Sequence, residues 1–576
     1  MKNTEIADLF FRMAAYLEME GVAFKPQAYE RAAMTLETMG RDIEEIYREE
    51  GKKGLMEIQG IGASLADHIE EFLKTGTIKE YEAFRKRMPV DVEELLSVEG
   101  VGPKLVKELW EKLRVANVDD LERAAKEGKL QKLSRFGAKR EQNILQGITF
   151  LKKGQGRKTL GFIYPYVEEY VRILKSLDIT EEAAPAGSFR RMKETVGDVD
   201  ILVASKNAQQ VIDQFLARVP YLKIWGKGDT KVSLRAKQGF NIDVRVVPME
   251  TFGAALQYFT GSKEHNVRLR AYAVGKGLKV SEYGVFKGNR RIAGQTEQEV
   301  YEALGMQYIE PELREDTGEI EAALQRKLPD VIPYGSLRGD LQIQTDWTDG
   351  AHSIEDMAKE AKAQGLSYIA ITDHTRDLAM TNGCDEKKLL SQMREIDKIN
   401  KKISGITILK GAEVNIRKDG SLDISDEVLA KLDVVGASVH SHFRMPKKEM
   451  TERVVRAIRS PHVDILFHPT GRLIQKREAC ELDMDRIFKV AKETGTVLEI
   501  NAYPDRLDLR DADIRQAKQQ GVRMVIDSDA HAVDHIKFLR FGIAQARRGW
   551  AEKKDILNTK PLHEFTASLK DKTKAF

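Results

Sequence analysis

The spacing of apolar residues changes character along the chain, and each change predicts a different architecture. Over the first 150 residues they recur at roughly 3.6-residue spacing in short runs punctuated by glycine, which predicts a set of short amphipathic helices. From about residue 160 to 248 the pattern is mixed, with strand-like runs at 201–204, 231–235 and 240–247. A charged, helical pattern follows to about residue 328. Pro329, Pro333 and Gly335 then make 328–338 read as an exposed linker. Beyond it, apolar runs at 341–345, 368–373, 406–413, 434–440, 463–468, 497–501 and 522–527 alternate with amphipathic helices. Seven strands separated by helices predict βα units in a parallel barrel or sheet.

With 576 residues the chain exceeds one compact core, and three or four domains are expected. It has two cysteines, Cys384 and Cys480, which argues against a disulfide framework and for a reducing compartment. No window reaches the roughly 18 apolar residues of a membrane span. The first 17 residues form an acid-bearing amphipathic pattern unlike a signal peptide, so a cytoplasmic location is expected. The net charge of +3 points to no particular partner. Its distribution says more. Lys132, Arg135, Lys139, Arg140, Lys152, Lys153, Arg157 and Lys158 cluster against the single acid Glu141, an excess that attracts phosphate or simply solvates a helix face. Histidine is also uneven: His68 and His265 lie in the first 336 residues and nine lie in the remaining 240, so two chemistries share the chain.

Residues 55–73, LMEIQGIGASLADHIEEFL, and 95–113, LLSVEGVGPKLVKELWEKL, repeat one design. Gly60 and Gly62, and again Gly100 and Gly102, flank one apolar residue between two amphipathic stretches. Glycine permits a tight hairpin, and the following helix N-terminus offers free N–H groups to an anion. The pattern resembles the helix-hairpin-helix motif, which holds DNA phosphates without reading sequence. A degenerate third copy surrounds Phe136, Gly137, Ala138 and Lys139.

Residues 187–200 read GSFRRMKETVGDVD. On a strand, Asp198 and Asp200 point to one side, where their repulsion calls for a hard cation such as Mg²⁺. In FNIDVRVV, residues 240–247, Asn241, Asp243 and Arg245 share the polar face and Ile242, Val244 and Val246 the buried one. Three carboxylates holding two ions suit nucleotidyl transfer.

The order of two hairpins, GSFRR, GDVD, IDVR and YFTGS resembles the family X DNA polymerases, relatives of DNA polymerase beta, over about residues 1–320. The resemblance implies two-metal DNA synthesis with Mg²⁺ or Mn²⁺, gapped or primer-template DNA and deoxynucleoside triphosphates as partners, and a role in base-excision repair. It places Ser188, Arg191 and Gly197 at the incoming triphosphate, Tyr258, Phe259 and Gly261 at its sugar, and Asn266 and Arg270 at the nascent base pair and template. Tyr29 and Arg31 match residues near a 5′ end. Family members that excise a 5′ deoxyribose phosphate use a lysine where this chain has His68. Imidazole forms no stable imine, so lyase activity is not expected, and His68 is read as facing DNA phosphate or solvent.

His374, Glu413, His440, His468, Asp529 and His531 fall at the C-terminal ends of predicted barrel strands, where βα-barrel sites gather. This half resembles the polymerase-and-histidinol-phosphatase (PHP) domain, a distorted (β/α)7 barrel that hydrolyses phosphoesters. That resemblance adds Asp349 as a ligand and implies Mn²⁺ or Zn²⁺, with 3′→5′ exonuclease and abasic-site endonuclease activity. The family opens with His-x-His, whereas here Gln342 and Gln344 stand in those places, so one metal site is expected to be weakened. The expected fold is a multidomain α/β chain. Its parts are a helical DNA-binding domain at 1–85, a second hairpin subdomain at 86–155 and an α+β nucleotidyltransferase palm at 156–250. A thumb at 251–325, a linker at 326–336 and a PHP barrel at 337–576 complete it. The competing readings are a chain that is chiefly a DNA phosphoesterase, and a gap-binding scaffold with an inactive barrel.

Overall fold

A computed structural model describes residues 2–569 apart from 39–42, 59, 97, 99, 134–135, 154–155 and 379–380. The N-terminal part is a set of short helices around one core running from Ile6 to Ile148, so the two hairpin subdomains share their interior. In the helix Ala63–Thr75 the buried residues are Leu65, Ala66, Ile69 and Phe72, the stripe expected of an amphipathic helix. The helix Pro103–Leu113 begins with proline, whose fixed φ and missing N–H suit a first helical position. Parts of the basic stretch 131–158 lie outside the described residues. Within it, Glu141 is buried and accepts from the backbone N–H of Leu130 and the side chain of Gln131.

The palm is a five-stranded sheet formed by β1 (Glu182–Pro185), β2 (Asp198–Ala204), β3 (Tyr221–Lys227), β4 (Lys231–Ala236) and β5 (Asn241–Val247). Its order is β1-β2-β5-β4-β3, with β2 and β5 parallel and the other neighbours antiparallel. Burial alternates along β5: Ile242, Val244 and Val246 pack inward while Asp243 and Arg245 stay partly exposed.

The stretch expected to be helical up to about residue 328 also contains a three-stranded antiparallel sheet of β6 (Lys279–Ser281), β7 (Gly284–Lys287) and β8 (Arg290–Ala293). Strands of three or four residues are too short to impose a period of two on the sequence. The expected exposed linker is a further correction. Val331, Ile332 and Leu337 are buried, and the N–H of Ile332 donates to the carbonyl of Ala551, because these apolar side chains anchor the segment to the barrel.

The barrel strands are β9 (Gly339–Ile343), β10 (Tyr368–Ile371), β11 (Thr407–Asn415), β12 (Val434–Ser438), β13 (Ile465–Leu466), β14 (Val497–Asn501) and β15 (Met524–Asp527). All pair in parallel and in chain order, and a bridge between Ile343 and Ala530 brings the last strand back towards the first. Ile474, Leu507, Phe541 and Ala544 of the barrel enter the hydrophobic core of the palm, so these two parts are packed together.

Polar contacts join the barrel to the thumb as well. Arg547 pairs with Glu312 at 2.8 Å, and Arg548 with Glu315 at 2.9 Å and Asp511 at 2.6 Å. Glu297 joins the thumb to the palm, accepting from Arg190 at 2.5 Å and from the buried Arg314 at 2.6 Å. Burial alone would raise its pKa, but Arg314 and Arg190 bring it down to about 2. A carboxylate lowered on folding adds stability above its unfolded pKa, and that stability is lost as pH falls through the folded value. Glu297→Ala leaves Arg314 buried and unpaired, so urea unfolding near neutral pH should show a loss of about 3–5 kcal/mol. The gap between variant and parent should narrow as pH falls from about 4.5 towards 2.

Candidate functional site

The two hairpins have the geometry that phosphate binding needs. Gly60 and Gly100 adopt φ of 83° and 87°, which favours glycine, and Gly62 and Gly102 stand at the N-termini of the next helices without a side-chain cap. A Cβ at Gly62 or Gly102 would meet nothing within 4 Å, so a ligand can approach the backbone there. Arg31 is exposed, whereas Tyr29 is buried and its hydroxyl lies 2.9 Å from Nδ1 of His68. The other nitrogen of His68 is 3.2 Å from Glu80. His68 therefore does not face solvent: Tyr29 and Glu80 occupy both ring nitrogens.

On the palm, Asp200 of β2 lies directly opposite Asp243 of β5, with Asp198 two residues earlier on the same face. Burial, then the charges of Asp198 and Asp243, push the pKa of Asp200 up to about 6, while Lys231 and Arg245 oppose the rise. Lys231 reaches within 2.5 Å of Asp243. Gly187 has φ of 62°, and a Cβ there would sit 2.9 Å from a carboxylate oxygen of Asp200, so glycine lets the GSFRR turn close over the aspartates. The three carboxylates fit cations in charge and register. Among the described residues, however, the groups with three ligand atoms within 4.8 Å of one another lie in the barrel.

Around the aspartates, Ser188 is half-buried and Gly197 adjoins Arg157. Arg191 pairs with Glu315 at 3.0 Å and donates to the carbonyl of Thr260. Tyr258 and Phe259 meet edge to face at 5.2 Å, with the Arg245 guanidinium over Phe259. Gly261 lies against Arg191. Asn266 is buried, bonded to Gln257 and to the carbonyl of Tyr258, and Arg270 lies exposed beside that tyrosine.

At the barrel mouth Glu413 is central. It lies 3.3 Å from His374, 3.0 Å from His440 and 2.8 Å from His468. Burial would raise its pKa, but these imidazoles hold it well below the usual carboxylate range. Burial also drops His440 to about 4, leaving a neutral imidazole with the lone pair a metal requires. Asn415 approaches the other nitrogen of His440 at 2.7 Å, orienting the ring. Asp349, His374 and His531 form a second ligand group. The buried Oδ1 of Asp349 and the Nδ1 of His468 have no hydrogen-bond partner, which suits groups able to take a cation.

The remaining corner differs in kind. Gln344 donates to Glu413 at 2.9 Å, and Asn501 donates to Gln342, Glu499 and Asp529. Arg506 lies 3.1 Å from Asp529 and helps hold its pKa down against burial. Asn415, Glu499, Asn501 and Arg506 were not anticipated. Glu499 and Asn501 could have been found from residues 497–501, VLEIN, where they alternate with apolar residues on one face of β14.

Comparison with known proteins follows the same divisions. Helix-hairpin-helix families match residues 1–78 and 92–148, the DNA polymerase beta palm 165–223, the DNA polymerase beta thumb 255–315 and the PHP domain 340–503. The DNA polymerase/3′-5′ exonuclease PolX of Bacillus subtilis is 36% identical over 575 residues, covering 99% of this chain and all of the relative. Two probable phosphatases match only 31% of the chain. That of Caldanaerobacter subterraneus is 33% identical over 70% of its own length, and that of Acetivibrio thermocellus 34% over 73%. Agreement across the whole length, through hairpins, palm, thumb and barrel, shows that this chain belongs to the family X DNA polymerases that carry a C-terminal PHP domain.

Proposed function

We propose that the chain is a DNA polymerase that fills short gaps in base-excision repair, with a barrel that removes nucleotides from 3′ ends and cleaves abasic sites. The observation that carries the polymerase reading is the register that sets Asp200 beside Asp243, with Asp198 on the same face. Two divalent cations held there, Mg²⁺ or Mn²⁺, would polarise the α-phosphate of a deoxynucleoside triphosphate and stabilise the departing pyrophosphate. Asp243 is assigned to the proton of the attacking 3′ hydroxyl. Ser188, Arg191 and the Gly197 backbone hold the triphosphate, with Arg191 exchanging Glu315 for phosphate. Tyr258, Phe259 and Gly261 form the wall against the sugar, and Asn266 and Arg270 contact the base pair and template. The hairpin glycines and Arg31 face the DNA; Tyr29 is buried, which restricts its part to holding His68 in place. No described helix is long and apolar enough to cross a membrane, and the reading places the protein in the cytoplasm.

In the barrel, Glu413, His440 and His468 would hold one cation and Asp349, His374 and His531 another, Mn²⁺ or Zn²⁺, with Asp529 at their edge. Primary phosphoester hydrolysis, the second reading, is less well supported: the probable phosphatases match only 31% of the chain, whereas the polymerase relative matches 99% of it.

The two sites separate cleanly by mutation. Asp243→Ala should lower primer extension on gapped DNA by about 100-fold or more, the scale of losing one transition-state charge contact. Extension at the parental rate in that variant would defeat the polymerase assignment. Release of mononucleotides from a 3′ end should vanish in His440→Ala and persist in Asp200→Ala. The PHP resemblance implies up to three metals, and with Gln342 and Gln344 weakening one position, elemental analysis should find two cations in the barrel rather than three. The pair Gln342→His and Gln344→His should add a third, and a third cation already present in the parent would contradict this count.

A further inference from the structure

The sheet that carries the aspartates continues past them to an edge whose composition the polymerase reading does not use. β3 is the edge strand, and Trp225 on it is 60% exposed, whereas Trp110, Trp347 and Trp550 all pack against hydrophobic cores. Tyr221 and Leu222 beside it are exposed as well. The ammonium of Lys223 lies 4.2 Å from the Trp225 ring centroid, so both side chains stand on one side of the strand.

Strand register ties this edge to the catalytic face. Asp198 is opposite Asn241, Asn241 opposite Arg235, and Arg235 opposite Lys223, one straight row across four strands. The next row runs Asp200, Asp243, Ser233 and Gly226. Residues paired across a sheet point to the same face, so Lys223 shares the face of Asp198; Trp225 lies unpaired at a bulge between Ile224 and Gly226, and its contact with Lys223 puts its ring on that side. The second row ends in small residues, and a Cβ at Gly226 would meet nothing within 4 Å. Arg235 and Lys223 flank it on one side, Lys231 and Arg245 on the other. The result is a shallow trough with a small-residue floor and cationic margins, leading from the metal site to an exposed tryptophan.

Three strand spacings of about 4.8 Å put Lys223 roughly 14 Å from Asp198, close to four nucleotide steps of about 3.4 Å each. Charge decides which occupant suits the trough. Lys227 is taken by Asp213 at 2.6 Å, but among the described residues no carboxylate lies within 4 Å of the Lys223 ammonium. Cations lining a groove with an exposed aromatic at its end match single-stranded nucleic acid, which offers phosphates to the first and an unpaired base to the second.

We propose that Lys223 and Trp225 form a DNA-strand platform at the palm edge, where Trp225 stacks on an unpaired base and Lys223 and Arg235 hold the adjoining phosphates. The proposal rests on the aspartates being the nucleotidyl-transfer site.

The test uses the full chain and a labelled primer-template with a 5′ single-stranded overhang, oligo(dT), and a blunt duplex of the same length. Adding oligo(dT) or the overhang substrate should quench tryptophan fluorescence, and most of that quenching should disappear in Trp225→Phe. Trp225→Ala should weaken both single-strand-containing ligands by about five- to thirty-fold, with Phe restoring most of the affinity. Lys223→Glu should weaken them and flatten the salt dependence. Blunt-duplex affinity and the single-turnover extension rate at saturating DNA should stay within twofold of the parent. Unchanged affinity and quenching in a parent chain that extends primers would overturn the proposal, as would equal weakening on blunt duplex. A docking site for another protein predicts that first result. A parent chain that extends no primer would instead remove the polymerase reading, while the quenching and affinity arms would still report on the platform.

Discussion

Both candidate sites are held at the limit of how much negative charge one patch of backbone can carry. On the palm, burial and then the charges of Asp198 and Asp243, which the register sets opposite or beside it, lift Asp200 to about 6. The nearest relief inside the protein is Lys231, which pairs with Asp243 and, with Arg245, only partly offsets the rise at Asp200. Like charges fixed side by side on rigid strands cannot relax apart, an arrangement that a bound cation would relieve. In the barrel the solution is different. One fully buried carboxylate, Glu413, is surrounded by three imidazoles, which hold its pKa well below the usual range against its burial.

That constraint explains why the surrounding scaffold is polar where cores are normally apolar. Glu297 and Arg314 are buried as a pair, Arg190 joins them from the turn that covers Asp200, and Arg191 from the same turn pairs with Glu315. Arg548 brings the barrel into this chain, since it donates both to Glu315 and to the carbonyl of Arg191. Removing one member of such a network costs more than its own contact, because the others are left charged in low dielectric. The barrel is therefore part of the support of the turn closing over the aspartates.

The sequence made the strongly periodic and chemically loaded parts legible. The alternation of β5, the repeated Gly-x-Gly and the seven apolar runs each express a single local rule, and the structure places them accordingly. What escaped had no such rule to express. The strands β6 to β8 are too short for a period, and β3 is exposed over nearly its whole length, so neither alternates visibly. The segment 328–338 has the prolines of a linker but is anchored by Val331, Ile332 and Leu337, whose burial depends on a partner surface far along the chain. His68 looked free because Tyr29 lies 39 residues away. Glu499, Asn501 and Arg506 lack the histidine that draws attention to a metal site.

Those last residues bear on what replaced His-x-His. An amide at Gln342 or Gln344 brings no charge, so Asp529 and Glu413 must be compensated by other means. Arg506 lies 3.1 Å from Asp529, while Gln344 and Asn501 turn their N–H groups towards Glu413, Glu499 and Asp529. Donors and a fixed guanidinium thus do at this corner the electrostatic work of a cation, without its ability to activate water. Burial, with Asp527 and Asp529 nearby, pushes the pKa of Glu499 well above its usual range. The corner is not fully satisfied, since Gln342 Nε2, Gln344 Oε1 and Glu499 Oε1 are buried without a partner, and the groupings of three ligand atoms lie instead around Glu413 and His374.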